Sequence, residues 1–413
     1  MGQKETTRSM RPFIPVLGLQ DGESNSGPEG SAGLGEEMPQ TLKEQKAGDS
    51  LELTVVVPAR NEAACLVDCL TSLIAQSEAI FQLGDQWELI VVDDHSTDRT
   101  GEIARGFDGV IVMEASPLLA GWTGKCNAVW TAAQKARGRW LLFTDADTIH
   151  EAGNLLRALH EAKHHQVGLL SYSPRQIVHG ITQRSVMPLI FSELAAAYPP
   201  HEVSDSSGCL AAANGQFLLI AQEAYVRVGG HRAVANTILE DVELARRVKQ
   251  SGLGLRFRYA PDALSTRMYR STAQMDEGWT KNLALLFGNC RALAVWRTVD
   301  LLLLLGLPVL AMALWARPIS HLIPWVSAGL VVGLLWLRTL FRFYRRVLKS
   351  NFSLMNCLLA PVGLPRFIFL LWRSWYLHSI RQKVSWKGRT YGEKSVKNAE
   401  ANEVDSASTK GGF

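Results

Sequence analysis

The chain has 413 residues, 47% hydrophobic and 20% charged, with a formal net charge of +4. That length exceeds one ordinary domain, and that composition excludes disorder over most of the chain. A mean hydropathy of +0.02 is high for a wholly soluble enzyme and low for a transporter made mostly of membrane helices, so a soluble domain joined to a few membrane segments is expected.

Residues 1–50 are rich in Gly, Ser, Glu and Gln without periodicity. The apolar run 13–17 is too short and broken for a signal peptide, so a flexible cytosolic tail is expected. Order starts at Leu51. The run 51–57 reads as a strand ended by Pro58, followed by a helix over 62–75. Residues 88–92 read as a strand, and Ser96, Thr97 and Asp98 offer N-caps for a helix through Arg105. Strands at 109–113 and 140–144 alternate with helices at 124–136 and 151–164. Apolar strands alternating with helices predict a parallel sheet covered on both faces, in an α/β doubly wound domain. Runs 167–172, 216–220 and 256–259 read as further strands, and 241–250 as a helix, all completing one domain over 51–275.

The apolar runs come last. Segments at 299–316, 321–340 and 354–377 are expected to meet the membrane, preceded by an interfacial amphipathic helix over 276–298 carrying Trp279. The segment from Arg338 to the end holds 14 Lys+Arg against 4 Asp+Glu. By the positive-inside rule this basic region is cytosolic. The first run then leaves the cytosol and the second returns. Arg366 in mid-run would cost roughly 2.5–3.5 kcal/mol in hydrocarbon, so a re-entrant or interfacial hairpin is expected for the third rather than a full span. The basic tail 379–413 remains cytosolic. Nothing resembles a DNA-binding motif. The six cysteines form no Cys-x-x-Cys pair, which predicts reduced thiols and no structural zinc.

Four constellations carry chemistry. Val-Val-Asp-Asp-His-Ser-Thr-Asp (91–98) ends a strand, the edge where open α/β sheets bind ligands. Adjacent carboxylates there need a partner, such as a ribose hydroxyl, a base N–H or a metal; Asp94 or Asp98 could equally cap the next helix. Phe-Thr-Asp-Ala-Asp-Thr (143–148) also ends a strand. In extended backbone Asp145 and Asp147 point to one side, so they can share one hard cation, Mg2+ or Mn2+, that stabilises a departing diphosphate. Glu240 and Asp241 open a helix, as a cap or as a general base. Gly-Trp-Thr-Gly-Lys (121–125) sets glycines and Lys125 beside a helix N-terminus, which suits a phosphate or is an ordinary Gly-rich turn.

Together these motifs resemble the family 2 glycosyltransferases. Val-Val-Val-Pro-Ala-Arg-Asn-Glu (55–62), the Asp-Asp-His-Ser-Thr-Asp run, Asp-Ala-Asp, and Glu-Asp with a downstream Leu and Arg match in order, over about 53–268. The Gly-Trp-Thr-Gly-Lys loop and the C-terminal apolar segments are similar to the hopanoid-associated and carotenoid-acid glycosyltransferases, and more distantly to ceramide glucosyltransferases. The resemblance implies a GT-A-type doubly wound mixed sheet followed by membrane helices. It implies that Pro58, Arg60, Glu62 and Asp94 hold the nucleoside. Asp145 and Asp147 bracket a metal diphosphate, with Asp147 the direct ligand, and Lys125 approaches the phosphates or sugar. Asn214 and Gly215 line the sugar or acceptor pocket. Asp241 is the base, with Glu240 beside it. Processive members carry Gln-x-x-Arg-Trp; here Arg267-Met-Tyr-Arg270 stands instead, which favours transfer of a single sugar. The expected function is inverting, metal-dependent transfer from a UDP-sugar to a lipid-like acceptor, by a multi-pass protein of the cell membrane whose catalytic domain is cytosolic. A polyprenyl-phosphate sugar synthase and a non-catalytic lipid- or nucleotide-binding relative are the alternatives. The sequence carries no signal for an oligomeric state.

Overall fold

A computed structural model describes residues 51–315, 322–381, 384–386 and 389–391. The N-terminal tail and most of the basic C-terminal tail lie outside the described residues.

The first half is a βα alternation. Strands β1 (Leu53–Ala59), β2 (Trp87–Asp93), β3 (Val110–Glu114) and β4 (Trp140–Phe143) are joined by helices α1 (Leu66–Ile74), α2 (Thr100–Arg105) and α3 (Gly124–Ala133). β1 lies between β2 and β4, parallel to both, and its Val55, Val56 and Val57 are fully buried. Such all-apolar strands need cover on both faces, and helices supply it. β5 (Thr148–His150), α4 (Asn154–His164), β6 (Leu169–Ser173), β7 (Arg175–Gln176), α5 (Gly180–Ala197) and α6 (Pro200–Ser204) follow. Then come β8 (Leu218–Ala221), α7 (Gln222–Arg227), α8 (Glu240–Gln250), β9 (Leu255–Tyr259) and β10 (Leu264–Thr266). The main sheet runs β3-β2-β1-β4-β8-β6-β9, and β5-β10-β7 form a small second sheet.

The sheet is mixed, as the family resemblance implies, and not parallel throughout as the strand–helix alternation alone predicts. β8 runs antiparallel between β4 and β6. Its start therefore abuts the end of β4, with Leu218 opposite Phe143. This reversal carries Asn214 and Gly215 to the edge where Asp145 emerges.

Two helix starts also differ from the sequence reading. Residues 62–65 form a turn closed by Leu66 N–H to Glu62 O. α4 begins at Asn154, after Gly153 at φ 68°, a left-handed conformation that glycine adopts without strain.

Beyond the sheets lie α9 (Thr272–Leu286), α10 (Cys290–Trp315), α11 (Leu322–Val347), α12 (Leu354–Leu358) and α13 (Ala360–Tyr376). Among the described residues one helix, α10, is long and apolar enough to cross a membrane, with mean hydropathy 2.1. The interfacial helix expected over 276–298 is instead the end of α9 and the start of α10, separated where Phe287 turns extended (φ −114°, ψ 107°). Trp279 does not face outward. It is buried, stacks edge-on against Phe191 of α5, and sends Nε1–H to Met187 Sδ.

The expected hairpin within 354–377 is also corrected. α13 is continuous from Ala360 to Tyr376. Pro361 sits in its first turn, where no N–H is needed. Arg366 forms a two-pronged ion pair with Asp276 of α9, so its charge is compensated without a hairpin. The face Ala360, Gly363, Leu364, Phe367, Leu370, Leu371 is buried against the domain. A Cβ on Gly363 would meet Ser185 O of α5 at 2.4 Å, so the two helices cross in close contact. Gly363→Val is expected to destabilise the chain by about 1–3 kcal/mol, the range for overpacking. Thermal unfolding in detergent checks this; an unchanged Tm contradicts the close crossing.

Arg297 and Asp300, near the start of α10, meet Arg346, near the end of α11, at Glu193 of α5. The ion pairs measure 3.1 Å for Arg297–Glu193, 3.3 Å for Arg346–Glu193 and 2.8 Å for Arg346–Asp300. α10 therefore leaves, and α11 returns to, the same side of the domain.

Candidate active site

The ends of β1 and β4 and the start of β8 converge on one pocket. Lys125, Asp145, Gly215, His231, Glu240 and Asp241 are among its lining residues. Lys125, in the first turn of α3, lies at its centre. Its Nζ is 2.8 Å from Asp145 Oδ1 and 2.9 Å from Glu240 Oε1. Burial opposes its charge, but Asp145, Glu240 and Asp241 outweigh burial and hold its pKa well above the ordinary lysine value. The open phosphate loop expected at 121–125 is partly closed. Thr123 caps α3 by accepting from Cys126 N–H, and its own N–H donates to Ala235 O. Lys125 is thus presented to carboxylates by a fixed helix start.

Asp241 enters from the first turn of α8. Its Oδ2 accepts from Gly215 N–H at 2.7 Å, and its Oδ1 from Val242 N–H at 2.8 Å. Burial, then the charge of Glu240, raise its pKa to about 6, against the pull of Lys125 and the two backbone donors. A Cβ on Gly215 would meet Lys125 Nζ at 2.7 Å, so a side chain there would push the lysine head group aside. Asn214 holds this turn, its Oδ1 accepting from Gln216 N–H at 3.0 Å.

Asp145 and Asp147 do not lie in extended backbone. Thr148 N–H donates to Asp145 O at 3.2 Å, closing a turn, so the alternation argument does not apply to them. Both remain half-buried around buried Ala146. The Asp147 carbonyl accepts from Thr266 Oγ1 at 3.1 Å, and its charge acts on Cys65, Cys69 and Tyr269. Among the described residues no group of three His, Cys, Asp or Glu is gathered as a metal cage. The donor chemistry nonetheless fits a hard divalent cation. Asp145, Glu240 and Asp241 share Lys125 as their common cation, with Asp147 two residues away, so negative charge is in excess on oxygen ligands.

The loops after β1 and β2 interlock. Arg60 Nη1 donates to Asp94 O at 2.8 Å and lies 3.7 Å from the buried Asp94 carboxylate. Glu62 N–H donates to Thr100 Oγ1. Asp98 does the capping, accepting from Thr100 and from Ala63 N–H, and Asp93 accepts from Ser96 N–H. Asp94 is thus the member of the acidic run that faces Arg60. Pro58 lines the pocket but does not end its strand as expected: β1 runs one residue further, to Ala59, which pairs with Asp93.

Two features escaped the sequence reading. α9 brings Lys281 into the field of Glu240, Lys125, Asp145 and Asp241, and burial lowers its pKa. His150 ties the end of β4 to the turn before β8: its Nε2–H donates to Thr144 Oγ1 at 3.1 Å, which donates to Gln216 O at 2.8 Å. A helix-spaced Lys and a lone His carry no local signal; both need the tertiary fold.

The site geometry can be set against known proteins. The glycosyl transferase family 2 model matches residues 54–217. This chain carries a family 2 glycosyltransferase domain. The glycosyltransferase is 27% identical over 348 residues to the 4,4'-diaponeurosporenoate glycosyltransferase of Staphylococcus aureus (strain MRSA252), covering 82% of this chain and 88% of the relative. A mannosyltransferase of Pyrobaculum calidifontis, solved with GDP-Man and Mn2+, aligns at 18% identity and TM-score 0.45, over 83% of this chain and 92% of that one. S. aureus TarS residues 1–349, solved with UDP-GlcNAc, align at 14% identity and TM-score 0.37, over 83% and 97%.

The buried histidines of this glycosyltransferase give a pH prediction. Burial lowers both His150 and His231 to about 3, whereas an unfolded histidine titrates near 6.5. Both are neutral when folded, so acid favours the unfolded chain. Stability is expected to fall as pH drops below about 6.5, by about 2 kcal/mol per histidine at pH 5. Tm of the full chain in detergent at pH 7.5 and 5 reads this; a flat Tm contradicts it.

Proposed function

We propose that this glycosyltransferase moves one sugar from a UDP-sugar to a lipid-like acceptor, with inversion, at the cytosolic face of a cell membrane that its C-terminal helices enter more than once. One observation carries the reading. A carboxylate raised to about 6, Asp241, sits with Lys125 and Asp145 at the carboxyl edge of the sheet. A base of that strength is ionised at neutral pH and still accepts a proton readily.

Arg60, Glu62 and Asp94, with Pro58, frame the nucleoside end. The diphosphate would meet Lys125 and the Asp145–Asp147 turn. Asp147, with Asp145, would hold Mg2+ or Mn2+, which supplies charge stabilisation for the departing UDP. Asn214 and Gly215 shape the sugar side, and Gly215 N–H keeps Asp241 aimed at the pocket. The acceptor hydroxyl gives its proton to Asp241 and attacks the anomeric carbon from the face opposite UDP, so the configuration inverts. Glu240 raises the basicity of Asp241 and anchors Lys125.

Support for the membrane reading is the apolar α10, the return of α11 to the same side of the domain, and the basic run Arg342, Arg345, Arg346, Lys349 at that return. The relative is by its name a glycosyltransferase of 4,4'-diaponeurosporenoate, a carboxylate. An acceptor of that class is already ionised and needs little from a base.

The test is UDP release by purified full-length chain with UDP-glucose, UDP-galactose and UDP-N-acetylglucosamine, with and without bacterial lipid extract. Release that requires both one sugar nucleotide and the extract is expected. Release from none of them, with the extract present, contradicts the reading.

A further inference from the structure

His231 belongs to no motif used above, yet its ring lines the same pocket as Lys125, Glu240 and Asp241. It lies in a short 3-10 turn, Gly230–Val234, that follows Gly229 at φ 81°. Gly230 is at φ 53°, and a Cβ there would meet Tyr225 Cε1 at 2.5 Å. The glycine pair lets Tyr225 slide directly beneath the turn.

That contact fixes the imidazole. Tyr225 Oη accepts from His231 N–H at 3.0 Å and lies 3.0 Å from His231 Nδ1. The phenol has one proton, and Nδ1 is the acceptor within reach, so Nδ1 takes that hydrogen bond and the ring proton sits on Nε2. Phe143, two residues before Asp145, meets the ring edge-on at 4.8 Å. The residue is 3% exposed, and its side-chain hydrogen bond to Tyr225 runs through Nδ1, which leaves Nε2–H outside that contact. A ring that lines the pocket with Nδ1 engaged by Tyr225 has Nε2–H left for a ligand acceptor.

The charge pattern selects the ligand atom. Burial and the nearby Lys125 keep the imidazole neutral, with its pKa lowered to about 3. It therefore adds a directional donor without adding charge. Phosphate oxygens are better served by Lys125; a neutral donor suits a neutral hydroxyl.

We propose that His231 is a specificity-determining residue that donates Nε2–H to a hydroxyl of the donor sugar, with Tyr225 as the positioning residue that fixes its tautomer. This rests on the nucleotide-sugar reading above.

The experiment is calorimetric binding of UDP and of UDP-glucose, UDP-galactose and UDP-N-acetylglucosamine to the full chain in detergent with Mn2+. His231→Phe keeps the ring against Phe143 and loses the donor. It is expected to weaken the best UDP-sugar by about five- to tenfold, the scale of one hydrogen bond, with UDP affinity unchanged. His231→Gln places an amide N–H near Nε2 and is expected to restore sugar binding to within about twofold. A parallel loss of UDP and UDP-sugar in both variants makes His231 a packing residue and overturns the proposal. So does unchanged sugar affinity in His231→Phe, or a wild type that binds UDP but no UDP-sugar; either leaves nucleotide binding standing. A wild type that binds neither UDP nor any UDP-sugar overturns the donor reading and this proposal with it.

Discussion

Asp147→Asn is expected to lower transfer by about 10² or more while the fold survives. The turn carrying Asp147 is pinned through its backbone: Asp147 O accepts from Thr266 Oγ1, and Thr148 pairs with Thr266 across β5 and β10. Asparagine keeps that backbone bond. What it loses is one charged oxygen ligand where a hard cation would meet diphosphate, and a Lewis acid there contributes several kcal/mol to leaving-group stabilisation. The check is UDP release with excess chelator, then with Mn2+ restored, in wild type and variant. Wild-type turnover in Asp147→Asn, or full activity in chelator, removes the metal from the account.

Asp241→Asn is expected to cut turnover by about 10² or more, the usual scale for losing general base catalysis, with UDP affinity little changed. The helix start favours the ionised form of Asp241, and so do Gly215 N–H and Val242 N–H. Burial and Glu240 outweigh them and lift the pKa to about 6. The base must be ionised to act, so wild-type turnover is expected to fall as pH drops through about 6, and Asp241→Asn loses that dependence. If turnover and UDP affinity fall together, Asp241 holds the donor or caps α8. If neither falls, the acceptor arrives already ionised, as a carboxylate or phosphate would.

The legible parts of this chain are those whose signal is local. Val55, Val56 and Val57 announce β1 because a strand covered on both faces has no polar side. Asp94, Asp145 and Asp147 could be placed at a binding edge because each follows such a run directly. α5 was missed for the opposite reason. It is covered on several sides, so Gln183, Ser185 and Ser192 are buried among apolar neighbours, which blurs its periodicity, and Pro188 interrupts it. The direction of β8 depends on pairing with two distant strands and leaves no mark in its four residues. Lys125 illustrates the limit at the site itself. Its place beside a helix start was readable, but the ion pair with Glu240 that defines its role is a contact between α3 and α8. His231 and Lys281 are wholly products of that packing.

Transfer of a single sugar from a nucleotide sugar to a membrane lipid leaves a product that can be weighed. The most direct measurement is mass spectrometry of lipids extracted from bacterial cells expressing the wild-type chain, the Asp147→Asn variant, or neither. A lipid carrying one added hexose unit is expected in the wild-type extract alone. Identical extracts from all three, with wild-type protein present in the membrane fraction, would contradict it, and a ladder of repeated sugar additions would contradict single transfer.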